Sequence, residues 1–110
     1  MPVVDLVPSV SEMSRPVTRV ELDWGGEVVG SLEMISHWRH LMILTVEHWP
    51  VSGPLRQQVT EKLLAAAVEQ ADERGAVLSI AVPAGSSYTG FLSGAGFQPL
   101  AGEVWRRDRS

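Results

Sequence analysis

A chain of 110 residues, 45% of them hydrophobic, is long enough for one domain with its own core and too short for two. A formal net charge of −4 argues against general binding to nucleic acid or to anionic membranes, which calls for basic patches. The lack of cysteine excludes disulfides, thiolate zinc sites and cysteine nucleophiles, and it fits a cytoplasmic protein.

Residues 1–16 carry Pro2, Pro8 and Pro16 among serines. They read as an N-terminal arm, with a short edge strand over residues 3–7, because proline is kept out of central strands. The first ten residues have no basic start and predict no signal peptide. No apolar stretch approaches the ~20 residues of a membrane span.

Residues 17–110 read as a single domain. Over residues 17–24, Thr18, Val20, Leu22 and Trp24 alternate with Arg19, Glu21 and Asp23, the pattern of a half-buried strand. Gly25-Gly26 then signals a two-residue hairpin, and residues 27–35 form the return strand. A polar turn over residues 36–40 leads into residues 41–46, a near-continuous apolar run that suits a strand covered on both faces.

Residues 47–53 break that run. From Pro54 to Arg74 the period becomes helical: Leu55, Val59, Leu63 and Ala66 share one stripe, with Leu64, Val68 and Ala71 beside it. Gly75 stops the helix. Residues 76–82 form a second apolar run, expected to lie adjacent and parallel to the first because a helical crossover joins them. A short helix is predicted over residues 86–93, then a last strand over residues 97–107, kinked at Pro99. The fold class is α/β with a mixed central sheet, in the order strand, strand, strand, helix, strand, short helix, strand.

A strand, a polar turn and a helix N-terminus in succession make a place where anions bind, since free N–H groups and the helix dipole converge there. The segment from Glu47 to Gln58 is therefore the leading candidate site. His37, His40 and His48 suggest no metal site, because eight residues of extended chain separate His40 from His48, roughly 26 Å at ~3.3 Å per residue. Ser86 and Ser87 fit helix capping better than nucleophilic catalysis. Arg106, Arg107 and Arg109 read as a solvated tail.

Three stretches resemble the GNAT-type N-acetyltransferases. Residues 19–34 (RVELDWGGEVVGSLEM) are similar to that family's hairpin. Residues 41–75 are similar to its strand, pyrophosphate loop and long helix, ending in Ala71-Asp72-Glu73-Arg74-Gly75. Residues 91–97 (FLSGAGF) are similar to its aromatic segment before a late strand. The resemblance covers about residues 17–107.

It implies acetyl-CoA or coenzyme A as the ligand and no metal. It places the cofactor contacts at Val46, Ser52, Gly53, Arg56, Gln57, Gln58, Val59 and Thr60, and a base at Glu47. The family's glycine-bearing loop pattern falls on Leu55, Gln58 and Thr60, so both glycine positions carry side chains. Gly53 offers a shifted nest and Arg56 a compensating charge. The family's tyrosine acid falls on Leu92. Tyr88, the single tyrosine of the chain, stands one helical turn earlier and is the substitute candidate. The family's early helices, which form much of its acceptor pocket, have no counterpart ahead of residue 17.

Two functions follow: an acyl-CoA-dependent N-acyltransferase acting on an amine, or a non-catalytic dimerisation or regulatory module of the same fold. A STAS-like regulatory domain ranks below both, since residues 36–40 leave no room for the helix it needs. A homodimer is expected, or a partner protein, with no nucleic acid and no membrane. Leu22, Trp24, Leu32 and Met34, with Trp38 and Trp49, are the residues a second copy would cover.

Overall fold

Four successive strands, of which the second alternates cleanly between buried and partly exposed positions, build one half of the sheet. The structure, a computed structural model, describes residues 7–14, 17–37, 39–48, 53–83 and 88–108, with side chains for all of these except 7, 11–14, 44–48 and 53–55. Strands β1 (Val7–Ser14), β2 (Val17–Trp24), β3 (Glu27–His37) and β4 (His40–His48) form an antiparallel meander. Gly25 and Gly26, at φ 63° and 86°, make the β2–β3 turn, where both central residues must take positive φ.

The helix α1 (Gly53–Arg74) carries the chain back to β5 (Val77–Ala81), which lies parallel to β4. As expected, these two strands are adjacent and central. Gly75 at φ 59° ends α1: its N–H donates to the Asp72 carbonyl, and the Ala76 N–H donates to that of Ala71, the paired bonds of a Schellman cap. The short helix α2 (Thr89–Gly94) precedes strands β6 (Gln98–Ala101) and β7 (Val104–Arg107). The seven strands lie in the order β1-β2-β3-β4-β5-β7-β6.

The core fills the space between α1 and one sheet face. Val59, Leu63, Leu64, Ala66, Ala67 and Ala71 of α1 are buried against Val20, Leu22, Leu32, Met34, Leu41, Ile43, Leu78 and Ile80 of the strands. This is the helical stripe read from the sequence, meeting the inward positions of four strands. Leu92 and Phe97 close the same core beside α2.

Three expectations are corrected. The edge strand is described over Val7–Ser14, longer than the arm reading implied; of the expected residues 3–7, only Val7 falls within the described residues. Pro8 is compatible with β1 because β1 is an edge, where one row of N–H groups has no strand to meet. The single last strand over residues 97–107 is a hairpin, β6 and β7, because Gly102 at φ 56° reverses the chain. Finally, Leu22, Leu32 and Met34 are fully buried in the core with α1, so they do not line an open face for a second copy. Of the residues named for that role, Trp24 is 45% exposed, and Trp38 and Trp49 lie outside the described residues.

Candidate functional site

The two central strands part company halfway along β4. Their parallel pairing runs from His40 opposite Val77 to Ile43 opposite Ile80 and stops. Beyond that point β4 continues beside β3 alone, with Val46 opposite Leu32, Glu47 opposite Ser31 and His48 opposite Gly30. Meanwhile β5 continues beside β7, with Ala81 opposite Val104. The result is a fork between the carboxyl ends of two parallel strands, the place where open α/β sheets bind ligands.

Helix α1 begins at this end of the sheet. The N–H groups of its opening turn have no intrahelical acceptors, and Pro54 brings none, so Gly53 and Leu55 supply donors there. No acidic residue stands in the first turn to compete for them. Arg56 is exposed in the same turn. This combination of opening-turn donors, dipole and one guanidinium suits a pyrophosphate.

The structure sorts the residues named from the sequence. Val46 and Glu47 lie on the free stretch of β4, with their side chains outside the described set. Ser52 lies outside the described residues and Gly53 opens α1. Gln57 is exposed and Gln58 half-buried. Val59 and Thr60 are buried, and residues 57–60 are all helical, so their amides serve the helix instead of a loop. Of the loop-pattern positions Leu55, Gln58 and Thr60, only Leu55 lies in the opening turn, whose N–H groups have no intrahelical acceptor.

Leu92 is fully buried in the core, so the position of the family's tyrosine is both apolar and closed. Tyr88 sits at the N-cap of α2, half-buried, and its hydroxyl oxygen accepts a hydrogen bond from Thr60 Oγ1 at 3.3 Å. No sequence signal could have found this contact, because 28 positions separate the two residues. At the other end of α2, Arg107 Nε donates to the Ala95 carbonyl at 3.0 Å. Its guanidinium also grips both oxygens of Asp72 on α1, at 2.8 and 3.3 Å.

His37 and His40 face each other across the β3–β4 turn, and His40 Nε2 is hydrogen-bonded to Ser79 Oγ at 2.7 Å. Among the described residues no three His, Asp or Glu gather as a metal site. None of the described helices is long and apolar enough to cross a membrane. A shallow depression of about 230 Å³, lined by Gln98, Pro99, Leu100, Arg106 and Asp108, lies at the sheet edge, with β7 between β6 and β5.

Solved structures share this architecture. A ribosomal-protein alanine N-acetyltransferase from Escherichia coli superposes with a TM-score of 0.75 at 15% identity, over 89% of this chain and 72% of that one. The fold is that of the GNAT-type N-acetyltransferases. An acyl-CoA N-acyltransferase from Pseudomonas aeruginosa matches with a TM-score of 0.60 at 15% identity, over 83% of this chain and 68% of that one. A candidate N-acetyltransferase from E. coli, solved with coenzyme A bound, matches with a TM-score of 0.63 at 14% identity, over 88% and 75%. No protein-family model matches the sequence, and no curated protein matches it. The GNAT fold is thus carried by topology, at sequence identities that leave the chemistry open.

Proposed function

We propose that the chain is an acyl-CoA-dependent N-acyltransferase, with coenzyme A seated at the β4–β5 fork. The fork above the acid-free first turn of α1 is the observation that carries this reading. Coenzyme A in a neighbour of the same fold supports it. The pyrophosphate would take the amides of Gly53 and Leu55 and the Arg56 guanidinium, and the acyl thioester would run into the fork.

An acceptor amine, freed of its proton by Glu47 directly or through water, attacks the thioester carbonyl. The C–N bond forms as the C–S bond breaks, and Tyr88 hands its proton to the departing thiolate. A carboxylate at a strand end suits the base role when burial keeps it basic, and a phenol suits the acid role.

Calorimetry with acetyl-CoA and coenzyme A tests the reading. The expected outcome is weak binding that Arg56→Ala removes, since one guanidinium stands in for the missing glycine nest. Tight binding untouched by Arg56→Ala would place the pyrophosphate elsewhere. A second reading, a non-catalytic module of the same fold, is favoured by the burial of Leu92 at the tyrosine position. It wins if neither ligand gives a binding signal.

A further inference from the structure

The sheet ends in two edges of unequal kind. In a two-residue hairpin the residues flanking the turn exchange both backbone bonds, and bonded and unbonded pairs then alternate along the ladder. Trp24 and Glu27 flank the Gly25-Gly26 turn. The even-numbered residues of β2 therefore turn their N–H and C=O groups toward β3, and the odd-numbered ones turn theirs toward β1. The odd-numbered Asp23, Glu21 and Arg19 stand opposite Val7, Ser9 and Ser11 of β1. The backbone groups of Pro8, Val10 and Glu12 thus face away from β2. Pro8 agrees with this count, because a residue without an N–H fits only a pair that exchanges no bonds. β1 stands first in the sheet order, so among the described residues this outer row meets no further strand.

The opposite edge, β6, is blunted. It is four residues long, and its ladder shifts register between Pro99 and Ala101. The same count, started from Ala101 and Val104 at the Gly102-Glu103 turn, aims Gln98 at β7 and leaves Pro99 facing out with no N–H to give. Apart from Pro8, β1 carries no such device over residues 7–12. Its register there is unbroken, and it holds no lysine or arginine. Its outer row offers the N–H groups of Val10 and Glu12 and the carbonyls of Pro8, Val10 and Glu12. Pro8, Ser9 and Val10 are exposed, Val10 to 43%. An open edge of this kind is a template for another strand.

We propose that β1 is a homodimer interface, where two copies of the strand pair antiparallel about a two-fold axis at Val10. A strand paired in this way with its own copy is self-complementary. With the axis at Val10, the two Val10 residues exchange both bonds and form a β-branched pair at the centre. Each Glu12 N–H then meets the carbonyl of Pro8 of the partner subunit, which needs no donor from the proline. The two Glu12 positions lie four residues apart along the joint. An axis at Ser11 would make them diagonal neighbours and set like charges together, so the sequence of β1 selects the Val10 register. The joint is short, below the ~1,600 Å² of a standard interface, so monomer and dimer exchange in the micromolar range. β2 and β3 separate this edge from β4, and the interface does not rest on the acyltransferase reading.

Sedimentation equilibrium should show a mass that climbs from 12.0 kDa toward twice that value between low and high micromolar protein. Val10→Lys sets two like charges across the axis and leaves the β1–β2 bonds in place, and it should weaken the dimer at least about ten-fold. Leu100→Lys, at an exposed position of the opposite edge, should leave the dimer unchanged. Far-UV circular dichroism checks that both variants keep the fold. The chain has no cysteine, so Val10→Cys carries a single thiol, placed at the axis. Residues that exchange bonds across an antiparallel pair stand within disulfide reach. Mild oxidation should therefore give a covalent dimer from Val10→Cys and none from Leu100→Cys. A mass that stays at 12.0 kDa up to millimolar protein overturns the proposal. A dimer that Leu100→Lys disrupts and Val10→Lys does not overturns it as well. So does a monomer that dimerises only once residues 1–6 are removed, which would make that segment the cover of the edge.

Discussion

The two faces of the sheet are built from the same strands and do opposite jobs. On the α1 face, Val20, Leu32, Met34, Leu41, Leu78 and Ile80 meet the helix and are closed to water. On the other face, in alternate positions of the same strands, stand Arg19, Glu21, Glu33, His40, Met42 and Ser79. Arg19 there bridges to Glu21 at 3.2 Å and Glu33 at 3.7 Å, with all three side chains a quarter to a third exposed. Met42 is 46% exposed, while its neighbour Ile43 is buried. A one-residue step thus separates the apolar face that packs on α1 from a more polar face that is only partly open to solvent, Ser31 and Ser79 being buried on it.

Substitutions that ignore this division would break the comparison, and the largest effect belongs to the core. Leu63→Ala removes a fully buried side chain at the centre of α1, and urea denaturation should show a loss of about 2–5 kcal/mol. Next comes Arg107→Ala. It frees the Asp72 carboxylate and the Ala95 carbonyl from a guanidinium only 14% exposed, and the same measurement should show about 1–2 kcal/mol. Gly102→Ala meets no steric obstacle, but it forces φ 56° on a residue with a Cβ; about 1 kcal/mol should be lost. The smallest effect is expected on the opposite face, where Arg19→Ala should cost less than about 1 kcal/mol and less still in high salt. A loss at Arg19 equal to that at Leu63 would mean that the second face carries stability too.

Much of the fold was readable because its signals are local. Pro54, the apolar stripe and Gly75 bracket α1 to within a residue of its bounds. Gly25-Gly26 marks the hairpin, and the helical crossover dictates the parallel β4–β5 pair. Three things were not readable. Pro8 and Pro16 mask β1, because proline is tolerated at an edge as well as in an arm. The β6–β7 reversal is a two-residue turn with a single glycine, Gly102-Glu103, a weaker signal than Gly25-Gly26, so Gly102 passes for a residue within a strand. Alternation says that Leu22, Leu32 and Met34 share a face but not which face α1 takes. The site was half legible: the helix N-terminus announces itself, whereas the Thr60–Tyr88 contact joins two elements that only tertiary packing brings together.

The single parallel joint has a kinetic consequence. Strands β1 to β4 pair with their immediate chain neighbours, so each hairpin closes over a few residues and can form quickly. The β4–β5 joint brings His40 beside Val77, and all of α1 must be spanned before one bond of that ladder exists. Loop closure of this length is repaid only when α1 docks, so the meander can form early while the fork waits for the helix. Disruption of the β2–β3 hairpin, formed before the helix docks, and core truncations in the middle of α1, at Leu63 or Leu64, should then both slow refolding more than they speed unfolding. The fork thereby acquires its shape only once the helix has docked on the meander.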